Sequence, residues 1–305
     1  MNDEHPLVRG KVCNARIPDG QADAPDPCHK KFTGTVPAGN KRIIIEHVRV
    51  VPIFWGDYYV KISPQVVTYG VELINDLVGG PFLNGLAQYG VGRGSVTAPV
   101  IVSDANPPPQ LADWQGRDRL KKWLKYKKVT PEPAVNENHL LYFIFPPPSV
   151  DLGTPGGYHE GADYYAKFGG FPNIDLYWAI LSTTIASTYP TPYDFVNYIA
   201  PTVAHEIVEI VTDRDLSSGY KVTIDCKDCE IADLCGDSDA HPFYTYRNWI
   251  TSIPQYYSNW DNGCIRGDQP VSVRRFLKAI NADPRRGLRA LHAPTINIDY
   301  IASRF

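Results

Sequence analysis

The feature that most constrains this chain is a helical segment over residues 191–213 that carries an HExxE motif. Thr191 and Pro192 are typical of a helix start, and the apolar residues that follow recur at helical spacing. His205 and Glu209 stand four residues apart, so a helix places both side chains on one face, with Cβ atoms roughly 5–6 Å apart. The fold is therefore expected to bury the apolar side of this helix.

The HExxE motif has the chemistry of a metal-binding helix. An imidazole and a carboxylate on one face can hold one ion, as two histidines do in the HExxH zinc helix. Glu206, turned by about 100° from His205, is placed to act as general base on a water molecule at that ion. Pro201 lacks an N–H, so the helix is expected to kink or restart one turn before His205.

A second acidic segment supplies the rest of the predicted site. Glu230 lies 21 residues after Glu209, and HExxH…E zinc sites place their third ligand at such a spacing, on a following helix. Asp233 comes one helical turn later, where an acidic residue braces the first histidine. The predicted metal ligands are therefore His205, Glu209 and Glu230, with Asp233 and Asp213 as supporting residues.

The donor set suggests which ion would bind. One histidine and two carboxylates make a more anionic site than zinc usually has, so we predict zinc and keep calcium as the alternative. The competing interpretation is an inert helix in which His205 and Glu209 bond only each other or the backbone. Two further histidines, His159 in a glycine-rich segment and His241, are the candidates to assist an oxyanion, with Tyr244 and Tyr246 as weaker ones.

The rest of the chain predicts an α+β fold, α/β-like in having a central mixed sheet with flanking helices, because strands and helices alternate. Residues 151–173 are rich in glycine and are expected to form a loop, and two strands joined by a turn are expected over 241–264. The remaining expected strands are 42–55, 96–103, 139–145 and 173–183, and the expected helices are 64–78, 81–89 and 191–212.

The cysteines and the flanking segments bear on domain organisation. We expect a polar N-terminal arm (1–40) pinned by a Cys13–Cys28 loop, one catalytic-type domain (41–267), and a C-terminal helix and tail (268–305) packed on it. Two further disulfides are expected among the last four cysteines. The alternative is a structural zinc held by the same four thiolates, Cys226, Cys229, Cys235 and Cys264.

Charge and composition exclude some classes of partner. The net charge of −3 gives no basic excess for nucleic acid, and no apolar run of about 18 residues could span a bilayer. The one basic run, 117–128, lies over an apolar stripe that includes Trp114; it is interpreted as a solvated helix face, with an anionic partner as the alternative. No signal peptide is predicted near Met1, but the aromatic, proline-rich composition favours a secreted protein over a cytoplasmic one.

Five motifs, taken in order, resemble the Exordium group of phosphate-induced proteins, and most closely its microbial members, which keep an HExxE helix. They are Val50–Tyr58, Gly157–His159, Ala204–Asp213, Glu230–Cys235 and Tyr257–Cys264. The resemblance covers about residues 42–266. It implies a secreted protein with a zincin-like helix and a metallopeptidase activity, and a Cys235–Cys264 disulfide that leaves Cys226 and Cys229 as a local pair.

Together these features predict a zinc metallopeptidase that acts on a peptide or protein, with Glu206 as general base. The alternative is a non-catalytic secreted binding or cell-surface protein, in which the same residues hold a structural ion or form an inert polar site. The resemblance also bears on this alternative, because plant members of the group lose the histidine and glutamates, so the fold alone does not guarantee catalysis.

Overall fold

Within the described residues, six strands form the central sheet. The computed structural model describes residues 36, 44–103, 105–131, 139–148, 150–153, 157–164, 174–181, 191–213, 219–224, 227–235, 244–247, 249–259, 261 and 263–268. The sheet strands are β1 (Arg49–Trp55), β2 (Ser95–Val96), β3 (Val100–Val102), β4 (Leu140–Phe145), β5 (Gly157–Tyr164) and β6 (Ile174–Leu181). Their order is β2-β1-β4-β6-β5, and β3 pairs with β1 beyond the end of β2. All pairs are parallel except β5–β6, so the sheet is mixed, as predicted.

In the part of the chain that the structure describes, three α-helices flank the sheet, α1 (Pro64–Gly79), α2 (Asp113–Lys125) and α3 (Pro192–Thr212), and a 3₁₀ helix, Pro81–Tyr89, follows α1. The α1 and α3 boundaries agree with the predicted ones because local signals mark them. Thr191 Oγ1 accepts a hydrogen bond of 3.1 Å from the Asp194 N–H, which satisfies an N–H group that the helix cannot. None of the described helices is long and apolar enough to cross a membrane.

The two faces of the sheet bury separate apolar cores. Along β4 the side chains alternate, with Phe143 in the core shared with α1 and α3 and Tyr142 in the core shared with α2. The same alternation runs along β1 and β6. The described structure thus has the predicted α+β class, with a central mixed sheet and flanking helices. In α2, Leu120 and Trp123 are buried as expected, but Trp114 is exposed and does not extend the stripe.

Several predicted elements differ from the observed ones. The first strand begins at Arg49 rather than at residue 42. The strand predicted over 96–103 is two short strands, since Pro99 between them has no N–H to donate to a ladder. The loop predicted over 151–173 is wrong for residues 157–164, because Gly157–Tyr164 is strand β5. Of the kink or restart expected at Pro201, the restart is wrong, because α3 is continuous through that residue.

Shorter strands follow α3. They form three antiparallel pairs, β7 (Lys221–Ile224) with β8 (Lys227–Glu230), β9 (Tyr244–Tyr246) with β10 (Trp249–Ile253), and β11 (Tyr256–Ser258) with β12 (Gly263–Ile265). The region predicted as two strands therefore holds four. Glu230 ends β8 and does not lie on a helix as expected, and a 3₁₀ turn, Asp233–Cys235, follows it.

The cysteines within the described residues are disulfide-bonded rather than free thiolates. Cys235 and Cys264 are joined, with their Cα atoms 5.8 Å apart. Cys229 is also disulfide-bonded. Three of the four proposed thiolates are therefore oxidised, and the four-cysteine zinc site is wrong. Cys13, Cys28 and Cys226 lie outside the described residues, as do nearly all of the predicted arm (1–40) and C-terminal segment (268–305).

Candidate metal centre

His159 faces the HExxE helix from the edge of the sheet. Strand β5 is the last in the sheet order, and His159 lies opposite Ala179 of β6, on the face covered by α3. Its side chain is buried, and its Nδ1 atom lies 3.1 Å from Oε2 of Glu206. The histidine that the sequence placed in a loop therefore stands within hydrogen-bond distance of the helix motif.

Carboxylate oxygens lie near both ring nitrogens of His159. Its Nδ1 atom lies 3.5 Å from Glu209 Oε2, and its Nε2 atom lies 3.7 Å from Glu230 Oε1. Glu206 and Glu209 come from α3 and Glu230 from the end of β8, so three segments meet at one imidazole. Glu206 and Glu209 are themselves buried.

His205 occupies the more open side of the centre. Its Nε2 atom lies 2.9 Å from Glu209 Oε1 and 3.6 Å from Asp233 Oδ1. The four-residue spacing thus brings His205 and Glu209 together, and Asp233 lies beside His205. The His205 and Asp233 side chains are 26% and 27% exposed, against 6% for Glu209, so solvent reaches this half.

These residues form two groups whose ligand atoms lie within 4.8 Å of one another. One group is His159, Glu209 and Glu230, and the other is His205, Glu209 and Asp233. The predicted ligands are divided between them: Glu230 falls in the first, His205 in the second and Glu209 in both. His159, predicted only as an assisting residue, belongs to the first group.

Several polar atoms of the centre are buried without a hydrogen-bond partner in the described structure: His159 Nε2, Glu209 Oε1, Glu230 Oε1 and Asp213 Oδ2. Such atoms are normally paired, because burying an unpaired one costs about 1–3 kcal/mol. Glu209 Oε1 and His205 Nε2 are close, but their 2.9 Å contact lacks hydrogen-bond alignment. Two ligand atoms that lie close together without a hydrogen bond between them can both bind one ion placed next to them. His205 Nε2 and Glu209 Oε1 therefore fit a bound cation.

The charges of the centre act strongly on one another. Burial alone would lower the pKa of His159, but the carboxylates of Glu230, Glu206 and Glu209 raise it well above its ordinary value. Burial, with the negative charges of Glu230 and Asp233, raises the pKa of Glu209 well above its usual range. Without a cation, the folded protein therefore holds protons among these ligand atoms.

Glu230 and Asp213 show opposite shifts. Burial would raise the pKa of Glu230, but the His159 imidazole holds it below its ordinary value. Burial and the charge of Glu230 raise the pKa of Asp213 to about 7, although the Gly219 N–H and Lys221 oppose this rise. Asp213 follows the last residue of α3 and accepts a 2.7 Å hydrogen bond from the Gly219 N–H. It thus lies at the edge of the centre, where the sequence placed it as a supporting residue.

Of the other predicted assisting residues, Tyr246 bonds another part of the described structure. His241 is outside the described residues. The Tyr246 hydroxyl donates a 2.9 Å hydrogen bond to the Asp76 carbonyl of α1, and burial raises its pKa to about 12. Its hydroxyl therefore already has a structural partner.

Sequence reasoning underrated His159, although a usable signal was present. Gly157, His159 and Gly161 alternate with Tyr158 and Glu160. This period of two is typical of a strand, and the two glycines on the same face as His159 indicate that another element packs closely against that face. A Cβ atom at Gly157 would lie only 3.1 Å from Glu206 Oε1, so glycine allows α3 to approach.

The HExxE helix and the mixed sheet are the features by which the chain could be related to known proteins. No protein-family model matches the chain, and no curated protein or solved structure is significantly similar to it. The resemblance to the Exordium group therefore stays a prediction from the sequence motifs.

Proposed function

We propose that this protein is a metal-dependent hydrolase whose substrate is a peptide or protein. The observation that supports this most directly is that ligand atoms of the centre are buried without hydrogen-bond partners in the described structure: His159 Nε2 and Glu230 Oε1, which lie 3.7 Å apart, and Glu209 Oε1, which lies beside His205. Ligand atoms around a tetrahedral zinc ion lie about 3.3 Å apart, given bonds of roughly 2.0–2.1 Å. The separations of 2.9 and 3.6 Å from His205 Nε2 to Glu209 Oε1 and Asp233 Oδ1, and of 3.7 Å from His159 Nε2 to Glu230 Oε1, bracket this value.

The donor chemistry favours zinc. Each group contains an imidazole, which suits zinc, whereas calcium prefers an all-oxygen set, so calcium is the alternative for a site that uses mainly the carboxylates. When bound, a divalent cation would supply a Lewis acid that polarises a substrate carbonyl and makes a water molecule more acidic.

Glu206 has two tasks in this proposal. It accepts a hydrogen bond from the Nδ1–H of His159, which fixes the ring and leaves Nε2 free as a ligand. Glu206 is also the proton acceptor for the attacking water, as the motif predicts. His159 therefore moves from the oxyanion role to the ligand set, and substrate approaches from the exposed side beside His205 and Asp233.

The substitution Glu206→Gln separates these tasks. A glutamine oxygen can still accept the His159 hydrogen bond but cannot take a proton. We expect the variant, purified without chelator, to keep its cation by elemental analysis and to lose about 10²–10⁴-fold in hydrolysis of a broad peptide library. Glu160→Gln, on the same strand but the opposite face, is the matched control. An ion-free wild-type protein, or full hydrolysis by Glu206→Gln, would overturn the proposal.

A second candidate function follows from burial. The His159, Glu206 and Glu209 side chains are only 4–6% exposed, which suits a structural ion in a non-catalytic binding protein. In that case chelator treatment would lower the melting temperature strongly while the metal-loaded protein hydrolyses no peptide.

A further inference from the structure

Glu209 belongs to both groups of ligand atoms in the centre. Each group has the same composition, one histidine, the shared Glu209, and one further carboxylate, which is Glu230 in the first and Asp233 in the second. A single ion that used every one of these residues would need ligands from two sides of Glu209. The duplication suggests two positions rather than one.

The two oxygens of Glu209 face different imidazoles. Oε1 lies 2.9 Å from Nε2 of His205, whereas Oε2 lies 3.5 Å from Nδ1 of His159. The Nδ1 atom itself bonds Glu206, but the contact places Oε2 on the His159 side of the carboxylate and Oε1 on the His205 side. A carboxylate that bridges two ions offers one oxygen to each, and the two oxygens of Glu209 are divided in this way.

Each half of the centre contains a buried atom that lacks a hydrogen-bond partner in the described structure. In the first half it is His159 Nε2, on a side chain 4% exposed, and Glu209 Oε1 faces the second half from a side chain 6% exposed. Each atom lies near another ligand atom of the cluster, His159 Nε2 3.7 Å from Glu230 Oε1 and Glu209 Oε1 2.9 Å from His205 Nε2. The negative charge of the centre also favours two ions. Two divalent cations would offset four of its five carboxylates, whereas one cation would offset only two. The five carboxylates are Glu206, Glu209, Asp213, Glu230 and Asp233.

We propose that the centre binds two divalent cations, with Glu209 as the bridging ligand. The first is held by His159, Glu209 and Glu230, and the second by His205, Glu209 and Asp233. This inference rests on the proposed metal-dependent function and specifies its stoichiometry. The first ion is buried and exchanges slowly, and the second, on the side where His205 and Asp233 are about one quarter exposed, exchanges faster and meets the substrate.

The test measures how many metal ions bind to each 305-residue chain after a chelator has removed any metal it carries. Equilibrium dialysis against Zn²⁺, followed by elemental analysis, should give two ions per chain, one tight and one weaker. Loading with Mn²⁺ should give an electron paramagnetic resonance spectrum of two coupled ions, which does not depend on activity. Asp233→Asn should lose only the weaker ion, Glu230→Gln only the tighter one, and Glu209→Gln the coupling and most of both. Exposed Glu72, changed to Gln, should alter neither.

The outcomes separate this inference from the proposed function. One ion per chain, with no change in Asp233→Asn, would overturn the two-ion centre and leave the hydrolase proposal standing. No bound ion would overturn both. Two coupled ions without hydrolysis would support the two-ion centre while the hydrolase proposal fails. Circular dichroism of each variant checks that lost binding does not reflect unfolding.

Discussion

The Nδ1 atom of His159 lies 3.1 Å from Oε2 of Glu206, although the two residues are 47 positions apart in the chain. This contact joins the edge of the sheet to the HExxE helix. It makes the imidazole of a strand, enclosed by three glutamates, the centre of the candidate site. The helix motif contributes one wall of that site and not the whole of it.

Replacement of His159 by alanine should weaken cation binding more than any change outside the cluster. Loss of an outer partner of a metal ligand costs about 10–100-fold in affinity, so loss of a ligand should cost at least about 100-fold. Calorimetric titration with Zn²⁺ measures this. His47→Ala is the matched control, because His47 is exposed and contacts the Arg93 carbonyl. Equal affinities in the two variants would remove His159 from the ligand set.

The pH dependence of stability should change sign when a cation binds. The raised pKa values of His159 and Glu209 mean that the folded metal-free protein binds protons more tightly than the unfolded chain. Its free energy of unfolding should therefore fall as pH rises above the ordinary values of 4.5 for glutamate and 6.5 for histidine. Asp213, raised to about 7, acts in the same direction. The lowered pKa of Glu230 acts oppositely, but only below the ordinary glutamate value.

With the cation bound, the same ligand atoms must be deprotonated, so stability should rise with pH over this window. Urea unfolding at several values between about pH 5 and 8, with chelator and with Zn²⁺, checks both trends. Parallel slopes in the two conditions would show that protons and cations do not compete for these atoms.

A methyl group at position 157 should disturb the centre from the strand side. Its Cβ atom would lie 2.8 Å from the Ile180 carbonyl oxygen and 3.1 Å from Glu206 Oε1. Gly157→Ala is therefore expected to cost about 1–3 kcal/mol of stability and to weaken cation binding by moving Glu206. Gly263→Ala, where the added carbon meets nothing within 4 Å, is the control. Urea unfolding and calorimetry measure the two effects, and identical behaviour of both variants would contradict the tight approach of α3 to β5.

Removal of the Cys235–Cys264 disulfide should lower stability and loosen the outer half of the centre. The bond closes a loop of 29 residues, for which the chain-entropy relation gives about 3–4 kcal/mol. Asp233 begins the 3₁₀ turn that ends at Cys235, so its carboxylate should lose its fixed position. In the double serine variant, urea unfolding should shift, and cation binding should weaken mainly at the Asp233 side. An unchanged unfolding midpoint would show that the bond contributes little.

Local signals in the sequence located the helices well. The predicted helix over 191–212 is observed as Pro192–Thr212, because Thr191 and Pro192 fix its start within one turn and apolar spacing fixes its buried side. The pairing of His205 with Glu209 follows from helix geometry alone. These features depend on residues only a few positions apart.

The position of His159 could not be reached in the same way. It depends on the antiparallel pairing of β5 with β6 and on the packing of α3 across that edge, which are contacts distant in sequence. Glu230 was misplaced for another reason. The analogy with HExxH…E sites predicted a helix, whereas Glu230 ends the second strand of a hairpin that pairs Lys221–Ile224 with Lys227–Glu230.

The arrangement of the first ligand group also has a mechanical consequence. His159, Glu209 and Glu230 belong to β5, α3 and β8, and they are 50 and 21 residues apart along the chain. Strand β5 ends the sheet order and pairs with β6 on one side. A cation held by all three would act as a removable cross-link that closes two chain loops, much as a disulfide does. Its departure would leave the sheet edge as the place where the protein begins to open.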